Sequence, residues 1–203
     1  MSSSRIKTML AGLGIGLTAA MIFGAGSALA EGNTIGVSIA SQRATDNFDE
    51  SVATVTGVSY MHAFDNDWLI EAAMTYFDVS HSDTWHLNSH VGVGYRFHLS
   101  DVVSLVGVAA IGSRAQNDAT DFPYYMLHGA VDWKIFEAVT WSVVTLRYRN
   151  AFNTVYKFET PAIGSALGFR LSDSHSISLN YLREWEEGKV VDNLFGIGYQ
   201  YHF

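Results

Sequence analysis

Apolar and polar residues alternate along most of the chain, and short polar clusters interrupt the alternation. A period of two places successive side chains on opposite faces of a β-strand, whereas a helix would show a period of about 3.6. The pattern therefore predicts about ten strands. They cover residues 33–43, 52–64, 68–80, 85–99, 102–113, 123–136, 139–149, 159–171, 175–187 and 192–203.

These strands are about 11–15 residues long, which is enough to cross a bilayer at a tilt of about 45°. Tight turns alternate with equal or longer loops, and an even number of strands returns the chain to the side where it began. We therefore expect residues 31–203 to form an all-β fold, a transmembrane antiparallel up-and-down β-barrel of about ten strands, with eight or twelve as alternatives. A soluble β-sandwich is the competing interpretation, but it does not explain such long strands with such apolar faces.

The tight turns determine which residues stand opposite each other, so they test whether the predicted faces agree. Charged side chains are taken to point inward. Across residues 65–67, 137–138 and 172–174, an inward Glu71, His128 and Arg170 then require an inward Met61, Arg147 and Ser176. Across residues 100–101, an inward Arg96 puts Leu105, Gly107 and Ala109 inward, and Val106, Val108 and Ala110 outward. Polar or small residues meet polar or small residues in each case.

The outward positions are apolar, and aromatic residues collect near the strand ends, as in the interfacial girdles of membrane barrels. One predicted girdle contains Phe64, Trp68, Phe97, Trp133, Phe169 and Phe203, and the other contains Tyr76, Trp85, Tyr125, Tyr148 and Trp185. Arg183 is an exception because its position points outward. Either it reaches a lipopolysaccharide phosphate, or a local bulge turns it inward.

The N-terminus has the features of a secretory signal peptide. Arg5 and Lys7 precede an apolar run that ends in Ala28-Leu29-Ala30, so we predict cleavage after Ala30, and an uncleaved membrane helix is the alternative. The chain contains no cysteine, which excludes disulfides, thiolate sites and a lipoprotein anchor.

The C-terminal residues FGIGYQYHF alternate aromatic or aliphatic residues with small or polar ones. This segment resembles the closing strand of bacterial outer-membrane β-barrels, with Gly198, Tyr201 and Phe203 matching their assembly signal. Gly196 departs from it, because a polar residue often stands there. The resemblance is to small Gram-negative porin-like or OmpA-type barrels. It implies an outer-membrane location, periplasmic termini, and outer-membrane lipid, lipopolysaccharide, periplasmic chaperones and the barrel-assembly machinery as partners.

Four histidines between Asp78 and Ser100 raise the question of a metal site. His86 and His90 are roughly 13 Å apart along one strand, so they cannot share an ion. His81 and His86, with Asp78 and Asp83, flank a loop and are the remaining candidates, but we expect loop and lumen histidines, no metal and no cofactor.

The sequence also gives little sign of an enzyme. Omptin-type proteases need longer strands and loops than this chain has. Lipid A deacylases and outer-membrane phospholipases need a positioned His–Ser pair. His81–Ser82 lies in a loop and Ser89–His90 points to opposite faces, so neither presents a base to a nucleophile.

The predicted interior carries more basic than acidic residues, with Glu184 as a further possible inward acid. The predicted pore-lining residues are Glu71, His90, Arg96, His128, Asp132, Lys134, Arg147, Arg149 and Arg170. This excess indicates a narrow, anion-preferring pore for small solutes. The alternative is a barrel plugged by salt bridges, with a structural or surface role and no transport activity. The formal charge of −8 gives no reason to expect nucleic-acid binding.

Overall fold

Residues 32–203 are described by a computed structural model, and they form one closed antiparallel sheet of ten strands. The strands are β1 Gly32–Arg43, β2 Ser51–Ala63, β3 Trp68–Val79, β4 Trp85–His98, β5 Val103–Gln116, β6 Phe122–Phe136, β7 Val139–Ala151, β8 Ala162–Ser172, β9 His175–Glu186 and β10 Lys189–His202. Each strand pairs with its neighbours in sequence, and β1 pairs with β10. The predicted ten-strand up-and-down barrel is confirmed, whereas the predicted signal peptide lies outside the described residues.

The two ends of the barrel differ in their connections. At one end, the turn end, lie residues 64–67, 99–102, 137–138 and 173–174 together with the first and last described residues. At the other, the loop end, lie residues 44–50, 80–84, 117–121, 152–161 and 187–188. Glu187 and Gly188 both have positive φ, as a two-residue hairpin turn of type I′ requires. A 3-10 helix, Thr154–Tyr156, lies in the longest loop.

The described residues contain no helix with the length and apolar character of a membrane span.

Alternation within each strand separates an apolar outer face from a polar inner face. Large apolar side chains that are exposed on the outer face include Ile35, Val37, Ile39, Val58, Ile70, Met74, Val91, Val93, Leu127, Leu146, Ile163, Leu167 and Leu179. The sheet register pairs Met61 with Glu71, His128 with Arg147 and Arg170 with Ser176, so three of the four turn predictions are confirmed.

The fourth turn prediction is wrong. Phe97 pairs with Leu105, which leaves an odd number of residues in the turn, and Leu99 N–H donates to the Val103 carbonyl at 3.0 Å. The Ser100 hydroxyl accepts from the backbone N–H of Val103 at 3.1 Å and stabilises this longer turn. One additional residue reverses every face of β5. Val106, Val108 and Ala110 therefore point inward, and Leu105, Gly107 and Ala109 point outward.

A β-bulge in β7 changes which positions of that strand face inward. The register shifts between Ser142 and Thr145, so both residues lie on the inner face and are buried. A bulge adds one residue to a strand and offsets its alternation. Asp132 therefore pairs with Ser142 while His128 still pairs with Arg147, and the charged residues of β6 and β7 all point into the barrel.

Candidate functional site inside the barrel

All nine residues predicted to line the interior lie at inner-face positions of the sheet. Arg96, Asp132, Lys134 and Arg170 lie in the half next to the turn end, and Glu71, His90 and His128 lie near the middle. Arg147 and Arg149 lie in the half next to the loop end. Their inward orientation agrees with the sequence, but whether they line a water path stays a prediction.

Glu71 connects three strands near the middle of the barrel. Its carboxylate Oε1 lies 3.2 Å from Nε2 of His90 and 2.8 Å from Nε2 of His128. The Glu71 side chain can extend from β3 to His128 on β6 because small residues, Gly92 on β4 and Ala110 on β5, lie between them on the inner face. The space at Gly92 is limited, because a Cβ added there would lie only 3.0 Å from the Ala110 Cβ. Glycine and alanine thus leave room for polar side chains that lie across the lumen.

A cluster of arginines surrounds Glu184 in the loop-end half. Arg147 Nη2 donates to Glu184 Oε2, and Arg149 Nη2 donates to the same oxygen at 3.1 Å. The register places Ala162 between Arg147 and Glu184, and Asp192 beside Glu184 on the next strand. Arg149 is fully buried. The sequence predicted both arginines, left Glu184 open and missed Asp192.

The loop of residues 152–161 folds into the loop end and closes it. Phe158 is 2% exposed, and its ring lies 5.1 Å from that of Phe122. The guanidinium carbons of Arg114 and Arg149 lie 5.4 and 5.2 Å from its centroid. Thr160 is fully buried, and its hydroxyl accepts from Arg149 Nε at 3.2 Å. We call Phe158 and Thr160, with the loop that carries them, the plug.

The sequence missed two components of this region. Residues 159–161 were predicted to begin a strand, but β8 begins only at Ala162. Arg114 was omitted from the interior because the predicted strand ends at residue 113, and the two-residue turn at 100–101 would in any case have put position 114 on the outer face. Its own charge was a usable signal, since an arginine in the lipid-facing wall of a barrel is costly.

Apolar side chains fill the inner face beside the arginine cluster. This group consists of Ala40, Val55, Phe77, Ala162, Leu182 and Leu194. His86 points inward and stacks on Phe77 with ring centroids 4.5 Å apart. A cavity of about 30 Å³, roughly room for a water molecule or two, lies against the inner face of β1, β2, β9 and β10.

The residues that were candidates for a metal site or a catalytic pair do not come together. His81 lies in an exposed loop at a positive φ, while His86 points into the lumen. Among residues 32–203, no group of three or more His, Asp or Glu side chains has the arrangement that could hold a metal ion, and Glu71 instead forms hydrogen-bond contacts with His90 and His128. Ser89 faces outward and donates to the Ser113 carbonyl, while His90 faces Glu71. The Ser89–His90 pair thus has the divergent geometry that the sequence predicted.

The C-terminal segment closes the barrel. Phe203 N–H donates to the Asn33 carbonyl at 2.9 Å, and Asn33 N–H donates back to the Phe203 carbonyl at 2.9 Å. Gly198 faces the lumen and Tyr201 faces outward. The role of these residues as an assembly signal stays a prediction.

No protein-family model matches the chain, and no curated protein matches it either. Several solved outer-membrane barrels are similar in structure. The β domain of the Bordetella autotransporter BrkA has a TM-score of 0.56 at 12% identity, covering 85% of this chain and 99% of that one. An outer-membrane channel of Pseudomonas putida F1 has a TM-score of 0.55 at 11% identity, covering 87% and 97%. The NanC porin has a TM-score of 0.52 at 12% identity, covering 83% and 100%. The chain thus has the fold of outer-membrane β-barrels.

Proposed function

We propose that this β-barrel works in the outer membrane of a Gram-negative bacterium as a narrow channel that admits small anions when its plug leaves the lumen. The observation that carries the proposal is the nature of the closure. The loop end is closed by Phe158, which belongs to a loop and packs against the arginines that line the wall. A loop can be displaced without opening the hydrogen-bonded sheet, so closure by a loop is suited to gating.

The polarity of the lumen supports transport. Several buried polar atoms have no hydrogen-bond partner within the protein, namely Asn88 Oδ1 and Nδ2, Arg96 Nη2, Arg147 Nε and Nη1, and Asn180 Oδ1. Burying such groups without partners is unfavourable in a dry core, so their presence favours a hydrated interior. Two of the similar structures are described as a porin and a channel, which agrees with this role.

The anion preference rests on the cluster around Glu184. The cluster contains three arginines, Arg114, Arg147 and Arg149. Two acidic residues, Glu184 and Asp192, lie beside them. Charges in a narrow passage with low-dielectric walls act more strongly on ions than charges on a rim bathed in salt. An excess of arginine at the constriction therefore favours anions.

The orientation of the barrel and the role of its C-terminal segment follow from the proposed location in the outer membrane. We infer that the loop end faces outward and the turn end faces the periplasm. Gly198, Tyr201 and Phe203 serve the barrel-assembly machinery after periplasmic chaperones deliver the chain. We assign the protein no enzymatic activity.

A barrel that stays plugged and has a structural or surface role is the second candidate. The observation that favours it is the close packing of the loop-end half, where the ion pairs of Glu184 are buried beneath Phe158. Both candidates share the fold and the membrane location, and they differ in whether the plug leaves the lumen.

Single-channel recording in planar bilayers tests the proposal. We expect the natural protein to open rarely, and Phe158→Ala to open frequently and for longer, because Ala cannot fill the space between Arg114 and Arg149. Val155→Ala is the matched control, since Val155 lies in the same loop and is 79% exposed. Val155→Ala should behave like the natural protein. Silence of both the natural protein and Phe158→Ala would favour the plugged barrel.

A further inference from the structure

Two arginines lie on the outer face near the loop end, one strand apart from each other. The register pairs Arg43 of β1 with Asn193 of β10, and Asn193 with Arg183 of β9. With neighbouring strands about 4.8 Å apart, the Cα atoms of the two arginines are separated by about 10 Å. The three residues form one row across the sheet, which we call the outer arginine row. The bulge that would have turned Arg183 inward is not observed.

The outer arginine row is held in place by its neighbours. Arg43 Nη1 donates to the Asp49 carbonyl at 3.0 Å, and the Arg183 guanidinium lies 5.9 Å from the centre of the Trp185 ring. Between them, Asn193 Oδ1 accepts from the Tyr181 hydroxyl at 2.9 Å. Within residues 32–203, neither arginine forms an ion pair with a carboxylate. Both keep donors available for an anion from outside the chain.

Apolar and aromatic side chains continue the outer face from this row toward the middle of the barrel. Phe195 packs against Tyr181 at 4.9 Å and against Phe48 at 5.1 Å, and Ile163 and Ile197 are exposed on the same face. Arg183 lies three residues before the end of β9, so it is about 10 Å along the strand from the loop end. This depth corresponds to the boundary between lipid headgroups and acyl chains. An arginine there is unfavourable unless it reaches a polar partner.

We propose that the outer arginine row binds the phosphate of an anionic lipid headgroup, with the phosphorylated glycolipid of the outer leaflet, lipid A, as its occupant. Guanidinium groups donate paired hydrogen bonds to phosphate oxygens, and two of them about 10 Å apart suit a ligand with phosphates on a disaccharide. The apolar face below the row contacts the acyl chains. The inference rests on the membrane placement proposed above, and it does not depend on conduction.

Native mass spectrometry tests this site. The full refolded protein is mixed with purified lipid A in detergent, and the fraction of protein that keeps lipid A bound after release from the detergent is measured. In the double variant Arg43→Gln with Arg183→Gln, the lipid-bound fraction should be about tenfold lower than in the natural protein, because the variant lacks the charge-assisted hydrogen bonds to phosphate. Arg43→Lys with Arg183→Lys should retain more lipid than the glutamine variant. Lys157→Gln is the control for removing a positive charge elsewhere at the loop end, since the Lys157 side chain is 77% exposed and pairs with Glu187.

Lipid A without its phosphates should bind the natural protein weakly, to the same extent as intact lipid A binds the glutamine variant. Excess inorganic phosphate should not displace lipid A from the natural protein. Equal retention by the natural protein and the glutamine variant would overturn the site, as would an equal loss in Lys157→Gln. Displacement by inorganic phosphate would overturn the assignment to a lipid. Failure of every variant to insert into vesicles would instead contradict the proposed membrane function.

Discussion

Ala162 lies between Arg147 and Glu184 in the sheet register, and its small side chain allows the two charged groups to meet above it. Gly92 has a similar role beside Glu71, which extends past it to His128. At the scale of single residues, the interior therefore combines long charged side chains with small neighbours. This arrangement lets a ten-strand barrel fill its lumen with ion pairs and hydrogen bonds between opposite parts of the wall.

Glu184→Gln tests the energetic importance of the arginine cluster. The substitution leaves Arg147 and Arg149 buried without their carboxylate, and removing one partner of a buried ion pair costs about 3–5 kcal/mol. We expect a loss of this size in the free energy of unfolding, measured by urea titration in lipid vesicles. Glu187→Gln is the control, because the Lys157–Glu187 pair is exposed and such pairs contribute about 0–1 kcal/mol. Similar losses in the two variants would contradict the importance of the cluster.

The faces of β5 depend on a single turn. Leu99 to Val103 form a connection with one more residue than the dipeptide Ser100-Asp101 suggests, and this difference brings Arg114 inside the barrel. At the scale of an element, β5 is weakly specified by its own sequence, because valine, alanine and glycine occur on both of its faces. The pairings with β4 and β6 decide its orientation.

Single-cysteine variants test the orientation of β5, and they are clean probes because the chain has no cysteine. A spin label at Gly107→Cys or Ala109→Cys should be mobile and accessible to oxygen dissolved in the bilayer. A label at Ala110→Cys should be immobile and shielded, since Ala110 is buried in the lumen. Val93→Cys on β4 is the outward control. The reverse pattern in β5 would show that the turn contains two residues after all.

The barrel as a whole is asymmetric along its axis. The loop-end half contains the plug, the arginine cluster and the apolar group around Phe77, whereas the turn-end half has half-buried charges such as Lys134 and Arg170. An ion that entered the barrel would therefore meet Lys134 and Arg170 near the turns and the arginine cluster beneath Phe158.

This distribution of charge predicts the selectivity of the opened barrel. With Phe158→Ala as the background, reversal potentials in a salt gradient should show a preference for anions. Adding Lys134→Gln and Arg170→Gln should reduce that preference, because both side chains lie on the inner face without belonging to the arginine cluster. Adding Lys157→Gln outside the lumen should leave it nearly unchanged, since solvent and salt screen that charge. A preference for cations in the opened barrel would refute the proposed selectivity.

The alternation of residues by itself determined the class of fold, the strand count and most faces, because each strand must present apolar residues to lipid and polar residues to the lumen. No predicted strand limit differs from the structure by more than three residues. Charged residues such as Glu71, Arg147 and Arg170 identified the inner face wherever the turn length was unambiguous. Arg114 carried the same information for β5 and would have corrected its faces.

Only the tertiary structure decided how the interior is closed and which residues meet there. Arg147, Ala162 and Glu184 belong to three different strands, and the hydrogen-bond register alone brings them into one row. Phe158 has no periodic signal, since it lies in a loop whose path depends on the space left between Arg114 and Arg149. Strand alternation is a local property of the chain, whereas contacts across the lumen depend on the closure of the whole sheet, and for that reason the sequence left them open.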